Sequence, residues 1–514
     1  MLITLMLDVS RLWRWHLILI EQLAVTPGTR VAVVFSPVQR PVETAVSLAL
    51  MLEATLSKRP GPQPFDAMKA GDFDTWFSET TPVCDLVIDL ASLELADDPH
   101  ARTLIPLYNG VPGGSAFWSA VLEGAAPFLS LHDSTYGVLG IGQPAIESPH
   151  ALALSAAGVV TRLMSGLIAA ARDPAPKSGV PHLADYGARA PGLTMPAVQL
   201  MGRKVASKAK RLIDRQLAAA PQWAVAWRMR EARFDPLTGG ELSLADYQLL
   251  ADDGQRYYAD PFAVARGGEV DVFVEELPYA TGRGIISMFT VRADGTATTP
   301  RPVLDVAHHL SYPQVISRDG AHWMLPECHA SGGLTLYRAV RYPDQWEPVA
   351  RLIDEPVHDA TFFEHGGKLW IAANAQGPAS SRWGSSWDSL SLYCADKLLG
   401  PWTAHAGNPV LIDAARARPA GETFVAGGTL YRPVQDCSAG YGAALGLAQV
   451  TRLDDGGFTQ EVVGRLSFAT GSGVLGPHTL NRAACAGGQF EAIDLFAPKR
   501  LLERASYPRP ATGS

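Results

Sequence analysis

Two aspartates, Asp260 and Asp359, stand at matching places in a repeated pattern. Further carboxylates, Glu275, Glu276 and Glu327, close two of the repeats. Carboxyl groups facing each other in a cleft are the usual apparatus of glycosidic bond chemistry: one protonates the leaving oxygen, the other activates water or attacks the sugar. The pattern runs Ala259-Asp260-Pro261-Phe262, then Gly267-Gly268, then Val270 to Glu276. It returns as Tyr312-Pro313 with Asp319-Gly320 and His322 to Glu327, and as Asp359 to Phe363 with Gly366-Gly367 and Leu369 to Ile371. Two more copies are Ala420 to Val425 with Gly427-Gly428 and Leu430 to Asp436, and His478-Thr479-Leu480 with Gly487-Gly488, Phe490 and Asp494.

A glycine pair between alternating β-branched and aromatic residues reads as a hairpin, because glycine accepts the positive φ of the turn. The turn glycines recur about every 46 to 61 residues, a spacing that suits a propeller. Five units between residues 260 and 494 predict an all-β, five-bladed propeller, each unit forming the inner hairpin of a blade. The residues opening the inner strands, Asp260, Tyr312, Asp359, Ala420 and His478, then line a central funnel. Asp260 and Asp359 are expected to approach each other there, with Arg418 as the neighbouring cation. The stretch Gln222 to Arg228 reads as a strand that helps to close the ring.

Composition sets the bounds. The 514 residues are 47% hydrophobic and 18% charged, which supports a substantial core and argues against disorder. A net charge of -8 and a pI near 5.9 give no basic footprint for nucleic acid. Five scattered cysteines without a C-x-x-C pair suggest no metal site and fit a reducing compartment. The apolar start, Met1 to Leu7, is too short to span a bilayer. A cytoplasmic protein without a cofactor is expected.

Ahead of the propeller, strands at 2–7, 30–35, 84–90, 104–108 and 128–131 alternate with helices at 12–23, 42–56 and 114–123. That alternation predicts an α/β domain with a parallel sheet over residues 1–172. Gly113-Gly114 opens a helix whose N-terminus could accept an anion. Residues 173–219 read as a Pro/Gly-rich linker and an amphipathic helix, and residues 220–500 as the propeller. The helix carries Arg203, Lys204, Lys208, Lys210, Arg211 and Arg215 on one face. It reads as a connecting helix with a solvated face, or as a peripheral membrane contact through residues 203–215.

Two resemblances add to this. Leu107-Tyr108-Asn109-Gly110, Gly113-Gly114, Phe117-Trp118, Gly124 and Leu131-His132-Asp133 resemble the N-terminal domain of folate-dependent formyltransferases. That family uses an Asn-x-His pair, but Val111 stands where the histidine is needed, so the resemblance implies a fold without formyl transfer. The strand-opening Asp, glycine turn and aromatic-rich strand look like the glycosidase superfamily of five-bladed propellers, which includes arabinanases, β-xylosidases and invertases. Closer still is the N-terminal propeller domain of plant glucosamine inositolphosphorylceramide transferases. The motifs that resemble it are Ala259 to Phe262, Glu275-Glu276, Gly282 to Ser287, Pro326-Glu327, Ser386-Trp387-Asp388, Arg418 to Gly421, Gln435-Asp436 and His478 to Asn481.

The resemblance to the propeller glycosidases implies roles. Asp260 takes the place of the general base, and Asp359 that of the aspartate orienting the acid. Where those enzymes carry the acid glutamate, this chain has Arg418-Pro419, with Glu422 out of register. Either Glu327 or Glu276 supplies the proton, or the reaction is transfer from an activated sugar donor. In the second case Arg418, with Arg416 or Arg283, neutralises a leaving phosphate. Glu276, Arg283, Arg418, Asp436 and His478 are candidate substrate-binding residues, and Trp387, beside Trp383, is placed to stack on a sugar ring. Two functions stay open: making or breaking a glycosidic bond, or binding a glycan or glycolipid headgroup without catalysis.

Overall fold

The computed structural model describes residues 1–36, 46, 49–51, 53–54, 61–95, 98, 100–149, 151–173, 221–230, 240–375, 383–485, 488–499 and 501–502. The chain divides into two compact units, Met1–Leu212 with Gly377–Ser385, and Ile213–Gln376 with Ser386–Ser514. The expected linker and basic helix at 173–219 fall almost wholly outside the described residues, as does most of the helix expected over 42–56.

The first unit contains β1 (Leu2–Asp8), α1 (Arg14–Ala24), β2 (Arg30–Ser36), β3 (Leu86–Asp89), β4 (Arg102–Tyr108), α2 (Gly114–Glu123), β5 (Leu129–Asp133), β6 (Gly137–Gln143) and α3 (Leu152–Arg172). The sheet order is β2-β1-β3-β4-β5-β6. The first four strands are parallel, but β5 and β6 join antiparallel, so the wholly parallel sheet expected from the sequence is not formed. For β6 the reason is local: the short link 134–136 between β5 and β6 leaves no room for a crossover helix. Helix α3 is long and apolar enough to cross a membrane by length and composition, yet most of it is buried. A cavity of about 780 Å³, counted out to its solvent opening, is lined by Asp8, Arg11, Trp15, Asp89, Tyr108 and Gly114, among others.

The second unit is almost entirely β. Pro221–Arg230 is β7 and Gln248–Leu249 is β8. Next come β9 (Arg256–Arg266), β10 (Glu269–Pro278), β11 (Ile285–Val291) and β12 (Arg301–Leu304), then β13 (Ser311–Arg318), β14 (Ala321–Glu327), β15 (Leu334–Arg341) and β16 (Gln345–Ile353). The chain continues with β17 (Val357–His365), β18 (Lys368–Ala375), β19 (Ser389–Ala395), β20 (Thr403–Ala404) and β21 (Leu411–Asp413). It ends with β22 (Phe424–Ala426), β23 (Thr429–Asp436), β24 (Ala444–Asp454), β25 (Gly457–Phe468), β26 (Leu480–Cys485) and β27 (Gly488–Pro498). Strands β9–β12, β13–β16 and β22–β25 form separate antiparallel meanders, and β7 lies between β8 and β27, with β26 outermost. The arrangement is propeller-like. Counted as separate sheets, however, it shows four blades rather than the expected five. Strands β17–β20 do not end as a sheet of their own, because β19 also pairs with β21.

The turns explain the hairpins. Gly267-Gly268, Asp319-Gly320, Gly366-Gly367 and Gly427-Gly428 all hold two successive residues at φ between 52° and 94°, the conformation whose twist matches that of paired strands. Apolar clusters then join neighbouring meanders. Phe273, Met288, Val315 and Met324 pack together, as do Leu325, Leu336, Phe362 and Ile371, and then Phe363, Trp370, Leu392 and Leu430. Leu445, Leu466, Ile493 and Leu495 continue the series. Val225, Trp227, Val272, Phe289 and Phe490 bring the last meander back to the first. The early strand β7 takes part in that closure, pairing with β27 from Pro221↔Pro498 to Arg230↔Gln489.

Candidate functional site

Asp260, Tyr312 and Asp359 do not open their strands, as the sequence suggested. Each sits inside one, at a break in register between Ala259 and Phe262, Ser311 and Gln314, and His358 and Thr361. Their φ values are 51°, 47° and 48°. Left-handed backbone is costly for a residue with a side chain, most of all for tyrosine, and it persists only where surroundings hold it.

Carboxylates hold all three amides. The Asp260 amide donates to Asp494 Oδ2 (3.0 Å), the Tyr312 amide to Asp260 Oδ2 (3.2 Å), and the Asp359 amide to Glu327 Oε2 (2.9 Å). Tyr312 Oη accepts from the Gly421 amide at 2.5 Å and contacts Thr361 Oγ1 at 3.0 Å.

A second ring of side chains comes from the partner strands. Glu275 lies opposite Ala259, Glu327 opposite Ser311, and Asn374 opposite His358. The Gln435 and Asp494 amides bond the Arg418 and Thr479 carbonyls, which gives those two the corresponding places. Neighbouring residues on a strand face opposite ways, and this corrects two expectations. Glu276 turns from the cluster to Arg256 Nη1 (2.5 Å) and Ser287 Oγ (2.6 Å). Asp436 turns to Arg465 Nη2 (2.8 Å) and Ser438. Glu275 and Gln435, one residue earlier, take the inward places. Arg283 is also outside the cluster: it pairs with Asp305 at 2.7 Å and bonds the Val306 carbonyl.

Asp260, Asp359, Glu327, Arg418 and His478 do come together, all buried. Asp260 Oδ1 accepts from Thr479 Oγ1 at 2.9 Å and lies 3.5 Å from His478 Nε2. Burial raises the Asp260 carboxyl well above the ordinary range; His478 opposes the rise, and Asp494, Glu275 and Asp359 add to it. His478 makes a 2.5 Å contact from Nδ1 to Asp494 Oδ2 and stacks on Trp223 at 3.9 Å. Burial works against a charged ring there, but Asp494 and Asp260 outweigh it and raise His478 to about 9.

Asp359 is held differently. Its Oδ2 accepts from Arg418 Nε at 2.5 Å and from Gln435 Nε2 at 2.9 Å. Burial lifts the Asp359 carboxyl, and Arg418 pulls against the lift. Arg418 is fully engaged, donating also to the Ser386 carbonyl (2.9 Å) and to Tyr441 Oη (3.3 Å). Glu327 Oε1 contacts His358 Nδ1 at 3.0 Å and His329 Nδ1 at 3.1 Å. Burial alone would raise this carboxyl, but the two histidines and Arg418 hold it well below the usual range. It therefore stays ionised at neutral pH and is poorly suited to the proton-donor role expected for it.

Three aromatic residues border the charged groups. Tyr441 lies 5.4 Å from Trp387, 6.0 Å from Trp223 and 5.3 Å from His478, ring to ring, and Arg418 sits over its face at 4.9 Å. Tyr441 is 37% exposed, so this border reaches solvent while the carboxylates do not. Trp387 was expected here; Trp223 and Tyr441 were not. Among the described residues, two groups have donor atoms close enough to hold a cation: Glu327 with His329 and His358, and Asp260 with His478 and Asp494.

Among solved structures, the chain is similar to a family 117 glycoside hydrolase of Zobellia galactanivorans, at 12% identity and a TM-score of 0.34, over 54% of this chain and 91% of that one. It is also similar to a Cellvibrio cellulosa α-L-arabinanase complexed with arabinohexaose, at 14% identity and a TM-score of 0.31, over 41% and 78%. In sequence, residues 245–472 match the family described as glucosamine inositolphosphorylceramide transferase 1, N-terminal. That stretch contains Asp260, Glu327, Asp359 and Arg418; Trp223, His478 and Asp494 lie outside it. The proteins named glucosamine inositolphosphorylceramide transferase 1 from Oryza sativa subsp. japonica and Arabidopsis thaliana are 32% and 31% identical over 201 residues, 38% of this chain. The match spans 26% of each relative, so the chain covers about a quarter of the length of the curated relatives it matches.

Proposed function

We propose that this is a carbohydrate-active protein whose β unit binds a sugar at the Trp223–Trp387–Tyr441 border and transfers a glycosyl group beside Asp260. In this proposal β17–β20 take the fifth blade position of a glycosidase-type propeller. The carrying observation is the setting of Asp260: a buried carboxyl at a left-handed bulge residue, next to His478 and close to an aromatic border. Burial makes Asp260 more basic than a free aspartate, the direction a proton acceptor requires. Transfer is favoured over hydrolysis because no neutral acid faces Asp260 from Glu327, which its histidines keep ionised. Relatives named glucosamine inositolphosphorylceramide transferase make sugars and glycolipid headgroups the first substrates to try, with an activated sugar as donor.

One observation favours the alternative. Arg418 occupies Asp359 directly, and a carboxylate consumed in an ion pair suits a site that binds without reacting. The full chain, screened by saturation-transfer NMR against monosaccharides and assayed with sugar nucleotides, separates the two. Turnover that Asp260→Asn abolishes while sugar binding survives supports transfer. Binding without turnover in both proteins supports the binding module, and no sugar binding at all ends both proposals.

A further inference from the structure

Glu327 ends β14, His329 follows in the short turn His329–Ser331, and His358 lies in β17. Both imidazoles present Nδ1 to the same oxygen, Glu327 Oε1, at 3.1 and 3.0 Å. The rings lie 4.6 Å apart at 37°, and the three donor atoms fall within 4.8 Å of one another. A tetrahedral cation with bonds of about 2.0–2.2 Å sets its ligand atoms roughly 3.3 Å apart, so the carboxylate–imidazole spacing already present needs adjustment of only a few tenths of an ångström.

The surroundings favour a ligand set. Glu327 Oε2 is fixed by the Asp359 amide, which orients the carboxylate and leaves Oε1 to the two histidines. Two imidazole nitrogens with one carboxylate oxygen match the preferences of zinc-type cations, whereas calcium and magnesium prefer oxygen alone. The His329 side chain is 44% exposed, which gives an ion a path in and a side open to water or a substrate hydroxyl. The other group, Asp260–His478–Asp494, is less suited. It is wholly buried, and its carboxylate oxygens already accept from the amides of Asp260, Tyr312, His478 and Thr479 and from Thr479 Oγ1.

We propose that Glu327, His329 and His358 form a binding site for a divalent transition-metal cation of the zinc type, open to solvent on the His329 side. Because Glu327 also holds the bulge at Asp359, the ion is coupled to the candidate sugar site through one carboxylate.

The test uses the full chain after chelation and dialysis, titrated with Zn²⁺ by calorimetry and with Co²⁺ by visible absorption. One equivalent should bind, with Co²⁺ giving the intense d–d bands of four- or five-coordination. His329→Ala, at a half-exposed position, should fold with an unchanged melting temperature and bind on the order of tenfold or more weakly. Glu327→Gln should lose the bands, and His478→Gln should keep them. Equal Zn²⁺ affinity in the wild type and His329→Ala, no stoichiometric binding, or loss of the bands in His478→Gln rather than His329→Ala overturns the proposal.

Discussion

Asp260 and Asp359 rest on the same backbone device and have opposite electrostatic settings. Both are bulge residues with φ near 50°, both are buried, and each gives its amide to a carboxylate of a neighbouring meander, Asp494 in one case and Glu327 in the other. Their side chains part company. Asp260 has Thr479, the Tyr312 amide and a histidine at 3.5 Å; Asp359 has a guanidinium at 2.5 Å. The bulge fixes where the carboxyl stands. The partner strand fixes whether its charge is free to act.

The largest effect expected from breaking this comparison is at Arg418. Arg418→Ala leaves Asp359 buried without its cation and should destabilise the protein by about 3–5 kcal/mol, because an unpaired buried charge costs far more than an intact pair contributes. Urea unfolding of wild type and variant measures it. The double variant with Asp359→Asn should recover a good part of that loss. A single variant as stable as wild type would mean the pair is incidental.

Position was largely legible in the sequence and charge state was not. The repeated glycine turns located the hairpins, and with them Asp260 and Asp359, because the conformation those turns demand leaves a compositional mark. The bulges left none: nothing in His358-Asp359-Ala360-Thr361 announces a left-handed aspartate. Strand parity suffered most. Glu276 and Asp436, expected at the site, each lie one residue beyond the inward places of Glu275 and Gln435, and a one-residue error turns a side chain to the other face. A full comparison of the repeats offered the signal, since Glu275, Glu327 and Asp494 follow their turns at nearly the same distance. Tyr441, in a loop of small residues, and Trp223, before the first repeat, join the site only through tertiary packing.

The Asp260 side of the comparison should show itself in pH dependence. His478 binds its proton more tightly when folded, at about 9 against an ordinary 6.5. Its contribution is therefore complete below about pH 6.5 and is lost as pH climbs through 9. Asp260, also raised, acts in the same sense. The wild-type melting temperature should fall by several degrees between pH 6.5 and 9.5, with His478→Gln much flatter. Equal slopes in the two proteins would remove His478 from the account.

Tyr312 stands between the two aspartates in chain order, on the same bulge but without a charge. Tyr312→Phe removes the partner of the Gly421 amide and of Thr361 while keeping the ring against Phe262. The loss should be about 1–3 kcal/mol, the cost of leaving a buried donor unmet. If calorimetry finds no loss, the bulges do not depend on this cross-link.

The smallest effect belongs to a residue the structure removes from the site. Arg283 pairs with Asp305, and its side chain is 30% exposed against 56% for its partner. An ion pair that open to water is worth roughly 0–1 kcal/mol. Val306, whose carbonyl it also meets, is only half-buried. Arg283→Ala should therefore shift stability by less than about 1 kcal/mol and leave sugar binding as it is, whereas Arg418→Ala should disturb both. The contrast bears on chemistry as well as stability. If a sugar–phosphate donor lost affinity in Arg283→Ala at unchanged stability, Arg283 would be meeting the leaving phosphate after all. The boundary drawn around Asp260, Asp359, Glu327, Arg418 and His478 would then have to widen to include the loop that carries it.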